Sequence, residues 1–359
     1  MRSTTVAWHD WRIHTALAAL WLASGAGARA LAQQPADSEA QGTTPLFDAT
    51  EPLALTLSAE FGAVAKGRDT TKKLDYPGTL SYVAPSGDTV TLTVKLQTRG
   101  HFRLRTCQYP PLKVEFDRDQ AAHTIFAHQK SFKLVVQCRS GRSYEHYLLE
   151  ESLIYRTYNL LTDMSFRARL ARVTYVDATG RHEPETRYAF FLEDDDRMAR
   201  RNRTEVFKAL GTYQSGADPM RRGVVGVVGY LIGNTDWSVA GLHNIVVIRD
   251  STGILYPVPY DFDWSGVIAS PYAFPDSRLG ISTVRDRLFR GECPTVEGLA
   301  PLLARFNAQK DAIYALYRDQ AGLEPKRVKQ TLDYYDEFYR TINDPRDTRR
   351  EFQATCARG

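Results

Sequence analysis

The sequence predicts an α+β protein of two lobes: an antiparallel β-rich N-lobe over residues 46–193 with one helix, and a mostly helical C-lobe over residues 194–359 that carries a small β-hairpin. Two observations predict this. Short segments in which apolar and polar residues alternate dominate the first part, and segments with helical periodicity dominate the second. We expect the two lobes to enclose a cleft.

The predicted strands of the first part follow from alternation and from turn residues between the segments. Leu53, Leu55 and Leu57 alternate with small or polar residues, and so do the apolar residues of 90–96. The helix follows from Leu149, Leu153 and Leu160, which share one face of a segment without Gly or Pro. The predicted elements are strands at 53–57, 79–83, 90–96, 111–116, 132–137, 170–176 and 187–192, and a helix at 144–162.

Helical patterns return after the charged stretch 194–203, which we interpret as a solvated hinge. We predict helices at 204–214 and 217–232, a hairpin with strands at 243–249 and 254–259, and further helices from 294 to the end. Glycines recur every three or four residues from Gly223 to Gly233 among continuous apolar residues. This spacing favours a helix that packs closely against a neighbour over a nucleotide-binding loop.

The N-terminus has the layout of a secretory signal peptide. An apolar run at 16–27 lies between arginines and a small-residue segment that ends at Ala32, so we predict a signal peptide over 1–32 and a flexible lead-in over 33–45. The run is too short for a stable membrane span. The formal net charge of +4 is small for 359 residues and gives no reason to expect a nucleic-acid partner.

An exported chain gives its four cysteines an oxidising environment, in which an even number favours disulfides. Cys107 precedes one predicted strand and Cys138 ends another. If the two strands are antiparallel neighbours, both sulfur atoms lie at one end of the pair, so we expect Cys107–Cys138 and, by elimination, Cys293–Cys356. The alternative is four buried free thiols.

Polar residues concentrate around the predicted hairpin. Asp236 and Asn244 precede or open its first strand, and Asp261 and Asp263 follow its second. Because a hairpin brings its ends together, these four residues should meet. Three carboxylates and an amide repel one another unless a cation lies among them, and oxygen ligands suit Mg²⁺ or Mn²⁺. The alternative is that each aspartate only caps a turn or tethers a loop.

The order Gly-Asn-x-Asp, Asn, hairpin and Asp-Phe-Asp resembles the catalytic and metal-binding segments of atypical protein kinases, most closely the bacterial spore-coat CotH kinase family. The upstream segments are similar in order and spacing over about residues 90–270. They comprise Thr98-Arg99-Gly100, 111–116, 132–135, 153–156 and 191–194. The resemblance implies a bilobal protein-kinase-like fold. This chain departs from the family at Trp237, where members usually have Arg, and it has no glycine-rich phosphate loop.

The resemblance also implies roles for individual residues. Asp236 would face the acceptor hydroxyl as base or orienter, and Asn244, Asp261 and Asp263 would bind the metal that bridges the phosphates of ATP. The residues that would bind or support the nucleotide are Lys133 or alternatively Lys113, Glu151 or Glu150 as the ion-pair partner of that lysine, Arg99, and Glu193.

The function expected from these features is that of a secreted atypical kinase, which transfers phosphate from ATP to a Ser or Thr hydroxyl of an exported protein. One alternative is a catalytically inactive binding protein of the envelope or cell surface. A second is a metal-dependent phosphohydrolase, which needs no lysine.

Overall fold

The first half of the chain forms a closed, seven-stranded, mixed β-barrel in the computed structural model, which describes residues 45–354 except 70, 73, 212–215 and 293. The strand order around the barrel is β1-β2-β3-β4-β5-β7-β6. The strands are β1 (Leu53–Ala59), β2 (Tyr76–Val83), β3 (Thr89–Thr98), β4 (Leu112–Phe116), β5 (Ser131–Val136), β6 (Ala168–Asp177) and β7 (Glu185–Leu192).

Apolar side chains fill the barrel because every second residue of each strand points inward. Leu57, Val94, Leu134 and Val173 lie in this core, and all are at most 1% exposed. The barrel closes through one parallel pair, in which β1 runs alongside β6 with Leu53 opposite Ala171. This pairing joins segments that are far apart in sequence.

Within the part of the chain that the structure describes, the remaining elements include nine α-helices and a three-stranded antiparallel sheet. The helices are α1 (Phe61–Lys66), α2 (Phe102–Thr106), α3 (Arg118–Ala121), α4 (Arg142–Leu161), α5 (Asp195–Arg201), α6 (Pro219–Ile232), α7 (Val296–Arg318), α8 (Pro325–Asn343) and α9 (Pro345–Arg349). The small sheet has the order β10 (Leu255–Pro259), β9 (Ile245–Arg249), β8 (Glu205–Phe207).

The predicted bilobal, kinase-like fold with one helix in its N-lobe is therefore wrong. Outward-facing residues of the barrel, among them Val135, Leu170 and Phe190, belong to the same apolar core as α4, α6, α7 and α8. The second half of β7 and the parts of β5 and β6 beside it are thus buried on both faces, which explains the continuous apolar run of 189–192. Helices pack directly on a closed barrel, and four of them, α1 to α4, lie within residues 46–193.

Individual elements were predicted with mixed success. The long helix is confirmed as α4 and the glycine-containing helix as α6, in which a Cβ added at Gly223 would lie 2.7 Å from the side chain of Leu302. The helix predicted at 204–214 is wrong, because 205–207 form β8 at the edge of the small sheet. The charged stretch predicted as a hinge contains helix α5, which Asp194 caps at its N-terminus.

The disulfide between Cys107 and Cys138 is confirmed, with the two Cα atoms 4.6 Å apart. It lies beside β4 and β5, which are antiparallel neighbours as predicted. Cys293 and Cys356 lie outside the described residues, as do the predicted signal peptide and residues 33–44 of the predicted lead-in. Within the described part, none of the helices is both long and apolar enough to cross a membrane.

Candidate functional site

The hairpin of β9 and β10 brings the predicted polar residues to one place. The two strands end in the pair Ile245–Pro259, so Asn244 and Tyr260 are adjacent, and the Tyr260 amide donates to the Asn244 carbonyl at 3.0 Å. Helix α6 ends at Ile232 and is capped by Gly233, whose positive φ of 67° turns the chain toward Asp236. We call the residues Glu151, Asp236, Asn244, Asp261 and Asp263 the hairpin-end cluster.

Asp236 is held by two neighbours. The Asn244 side-chain amide donates to Asp236 Oδ2 at 3.0 Å and to the Asp236 carbonyl at 2.9 Å. His243 Nε2 lies 2.8 Å from Asp236 Oδ1, and the His243 side chain is 58% exposed. The Asp236 carboxylate is therefore fixed in orientation, with a solvent-exposed imidazole as its partner.

Two residues of the cluster have strained backbones. Asn244 and Asp261 have φ of 51° and 63°, the left-handed region that disfavours residues other than glycine. Such conformations cost about 1–3 kcal/mol each and concentrate at functional sites. The Asp261 amide donates to the buried Tyr155 hydroxyl of α4 at 2.9 Å, which helps to hold the turn.

Asp263 and Glu151 are buried around one arginine. Both are at most 5% exposed. Arg103 of α2 places Nη1 3.5 Å from Glu151 Oε2 and Nε 3.9 Å from Asp263 Oδ2, and its other terminal nitrogen donates to the Val136 carbonyl. The Tyr272 hydroxyl donates to Asp263 at 3.0 Å. The Arg103 guanidinium therefore contacts both buried carboxylates, but both contacts are long.

The two buried carboxylates of the cluster, Asp263 and Glu151, have raised pKa values. Burial and then the charge of Asp261 raise the pKa of Asp263 to about 7. Burial raises the pKa of Glu151 well above its ordinary value; Arg103 opposes this shift, whereas Asp263 and Asp261 add to it. Asp263 and Glu151 therefore hold a proton more readily than ordinary carboxylates do, because ionising them adds buried negative charge that Arg103 only partly offsets.

The other predicted residues lie at or beyond the edge of this cluster. Arg99 is near enough for its charge to act on Glu151 and Tyr155. Lys133 Nζ lies 5.3 Å from the centre of the Tyr260 ring, but its ion-pair partner is Asp195 at 2.6 Å and not a helix glutamate. Each of the remaining three has its own partner: Glu150 binds Arg327, Glu193 binds Arg201, and Lys113 pairs with Glu115.

The sequence did not single out Arg103, Tyr155, Tyr272 or His243 as parts of the site. Arg103 lies in a five-residue helix too short to show periodicity, and Tyr155 looks like any other residue of an amphipathic helix. Only His243 carried a signal, because it precedes Asn244 at the end of the hairpin.

A metal ion at this cluster would need ligands beyond the protein carboxylates. No group of three or more His, Cys, Asp or Glu side chains within the described residues is arranged to hold a metal ion. Mg²⁺ usually takes one or two carboxylates, with phosphate and water as its other ligands. The Asp261 carboxylate meets this need, because it has no hydrogen bond or ion pair within the described part of the chain.

No protein-family model matches the chain, and a search of curated proteins finds no significant match.

Proposed function

We propose that the hairpin-end cluster transfers the terminal phosphate of ATP, bound with Mg²⁺ or Mn²⁺, to a Ser or Thr hydroxyl of an exported protein. The observation that carries this proposal is the convergence of an oriented aspartate, Asp236, with Asn244, Asp261 and Asp263 at one end of a hairpin. Arginines 99 and 103 lie beside these residues. The resemblance of the same segments to CotH kinases supports the choice of reaction.

Asp261, Asp263 and the free side-chain oxygen of Asn244 would hold the metal. When bound, the ion neutralises charge on the phosphates and on the group being transferred. The positive residues would contact the phosphate oxygens. Arg103 and Arg99 suit this role because a guanidinium can bind phosphate through two hydrogen bonds, and Lys133 lies within reach of Tyr260, the neighbour of Asp261.

Asp236 would orient the acceptor hydroxyl and accept its proton. Phosphoryl transfer needs little covalent help from the protein, so a fixed carboxylate close to the phosphate suffices. His243 holds one oxygen of Asp236 and is exposed to solvent, which gives the proton a route out of the site.

An exported acceptor is proposed because of the confirmed disulfide and the predicted signal peptide. Disulfides persist in oxidising compartments and are rare in the cytosol. The Cys107–Cys138 bond also closes the segment that carries Arg103, since the Cys107 amide donates to the Arg103 carbonyl at 2.9 Å.

One specific observation favours a second candidate, a protein that binds nucleotide without transferring phosphate. Arg103 already lies between Glu151 and Asp263 and partly neutralises them. If it stays there when nucleotide binds, Asp263 is not free to act as a metal ligand.

The test is incubation of the purified protein with ATP labelled at the terminal phosphate, Mg²⁺ or Mn²⁺, and a generic Ser/Thr acceptor protein. The Asp261→Asn and Asp236→Asn variants should lose labelled product. Asp250→Asn is the matched control, since Asp250 lies at the opposite end of the same hairpin and should keep activity.

Three other outcomes would contradict kinase activity. Release of free phosphate without a labelled acceptor indicates a phosphohydrolase. A metal-dependent thermal shift with ATP but no transfer indicates the binding protein. Absence of both transfer and thermal shift would remove the nucleotide from the proposal altogether.

A further inference from the structure

A pocket with a volume of about 560 Å³ lies outside the hairpin-end cluster, between helix α4 and the chain that precedes β1. This volume lies within the range of small-molecule sites. One face of α4 lines the pocket through Ser152, Arg156 and Leu160, and the end of α7 and the chain leading into β6 complete its wall. None of the lining residues belongs to the hairpin-end cluster.

Arg156 is a half-buried cation that lines this pocket. Its side chain makes no hydrogen bond, ion pair or ring contact with any residue that the structure describes. None of its nitrogen atoms is among the fully buried atoms without a partner, so the guanidinium keeps surface that a ligand can contact. A guanidinium carries five N–H donors, and those of Arg156 are all available to a ligand.

The charge of Arg156 is only partly balanced by its surroundings. Burial lowers the pKa of Arg156, and the charge of Glu51 opposes this shift only in part. The charge of Glu51 also acts on Arg169, whose guanidinium donates to the Glu51 carbonyl at 2.7 Å. A cation held partly out of water without its own counter-ion costs free energy, and an anionic ligand would recover that cost.

The other two arginines of the pocket lie beside carboxylates. Arg201 binds the buried Glu193 at 2.8 Å. Arg167 lies close to three carboxylates whose charges oppose the lowering of its pKa by burial. These are Glu193, Asp48 and Asp163. An anion with a single charge therefore suits the pocket, whereas an anion with two charges would be repelled by the two aspartates that line it.

Apolar side chains of the same pocket lie near the guanidinium. Leu160 follows Arg156 by four residues on the same face of α4. Leu316 of α7 and Phe47 also line the pocket, and all three apolar side chains are only partly buried. An apolar ligand would remove more of their surface from water. Because a guanidinium pairs with a carboxylate through two parallel hydrogen bonds, the pocket suits a carboxylate attached to an apolar body.

We propose that this pocket binds a monocarboxylate with an apolar body. The carboxylate pairs with Arg156, and the body packs against Leu160, Leu316 and Phe47. The proposal does not depend on the function of the hairpin-end cluster.

The experiment is calorimetric titration of the full chain with three probes: 4-phenylbutanoate, its neutral amide 4-phenylbutanamide, and butanoate, which lacks the ring. We expect 4-phenylbutanoate to bind roughly tenfold or more tightly than either of the other two, because only this probe has both the charge and the apolar body. Binding of 4-phenylbutanoate that is no tighter than that of the amide or of butanoate, or no binding at all, would overturn the proposal.

Arg156→Gln tests the position of the carboxylate. It should weaken binding of 4-phenylbutanoate roughly tenfold or more and leave binding of the amide nearly unchanged. Arg142→Gln is the matched control and should bind 4-phenylbutanoate as the wild type does, since Arg142 begins the same helix, pairs with Glu324 and does not line the pocket. If Arg156→Gln also binds 4-phenylbutanoate as the wild type does, the acid binds elsewhere and the proposal is wrong.

Arg156→Met supplies a second readout that does not need the ligand. Met keeps an apolar stem and removes a charge without a partner, so this variant should leave the Tm of the ligand-free protein unchanged or raise it. If Arg156→Met instead lowers the Tm by several degrees, Arg156 is a structural cation whose charge is already satisfied, and the proposal is wrong.

Discussion

Two adjacent glutamates of helix α4 are both buried, but their surroundings differ. Arg327 binds Glu150 through two hydrogen bonds of 2.8 and 2.6 Å, and the Thr331 hydroxyl adds a third at 2.7 Å. Glu151 has one 3.5 Å contact with Arg103, a residue that it shares with Asp263. The same residue type on the same helix is thus fully paired at one position and underpaired at the next.

This difference in hydrogen-bond partners distinguishes a carboxylate that stabilises the fold, Glu150, from one whose bonding capacity is not used up, Glu151. Burial raises the pKa of both glutamates, but the Arg327 and Thr331 neighbours of Glu150 oppose the rise. At Glu151 only the arginines oppose it, and the two aspartates add to it. A buried charge with a complete set of partners holds elements together, here α4 to α8, whereas an incomplete set leaves capacity for a ligand.

The largest expected effect is on stability at Glu150. Glu150→Gln removes the charge opposite Arg327 and should lower the free energy of unfolding by about 3–5 kcal/mol, because it leaves a mostly buried guanidinium without its counter-ion. Glu151→Gln is the matched control and should change it by less than about 1 kcal/mol. Urea denaturation measures both, and equal losses would show that the two sites do not differ.

The Cys107–Cys138 disulfide is connected to Glu151 and not to Glu150. Cys107 directly follows the helix that carries Arg103, and Arg103 contacts Glu151. Replacing both cysteines by serine removes a cross-link between residues 31 apart and should lower the free energy of unfolding by about 2–4 kcal/mol. A reducing agent should lower the Tm of the wild type by more than it lowers the Tm of the variant. A wild-type Tm that is insensitive to reduction would contradict this stabilising role.

The hairpin-end cluster was largely predictable because a hairpin is local: once its two strands are recognised, the residues at its ends must meet. The Cys107–Cys138 bond followed from the same reasoning about antiparallel neighbours. Barrel closure was not predictable in this way. Nothing in the alternation of 53–59 shows that this strand pairs in parallel with β6, and periodicity alone does not show that β7 is buried on both faces.

The contacts of Arg103 with Glu151 and Asp263 could not be predicted, for a related reason. Its position depends on a five-residue helix, a disulfide and the Val136 carbonyl, none of which leaves a repeating pattern in the sequence. Segment 204–214 was mistaken for a helix because the partner of its strand, β9, lies much further along the chain.

The smallest expected effect is a pH dependence that distinguishes an underpaired carboxylate from a paired one. The pKa of Asp263 is about 7 in the folded protein against an ordinary value of 3.8. The unfolded chain therefore releases this proton first as the pH rises, so Asp263 lowers stability progressively between about pH 4 and pH 7. Asp263→Asn, which cannot ionise, should be more stable than wild type at pH 7.5 by about 1.4 kcal/mol or more, and no more stable at pH 4.

The pH dependence of stability expected from Asp250 has the opposite sign. Hydrogen bonds from Thr252 and Tyr256 lower its pKa to about 2, so its contribution to stability is present above about pH 4 and is lost as the pH falls toward 2. Asp250→Asn should therefore lower the Tm at pH 7.5. Thermal unfolding of both variants in EDTA, from pH 4 to pH 8, measures the two signs. If Asp263→Asn lowers the Tm at pH 7.5 as Asp250→Asn does, Asp263 is a satisfied structural carboxylate and the contrast with Glu150 disappears.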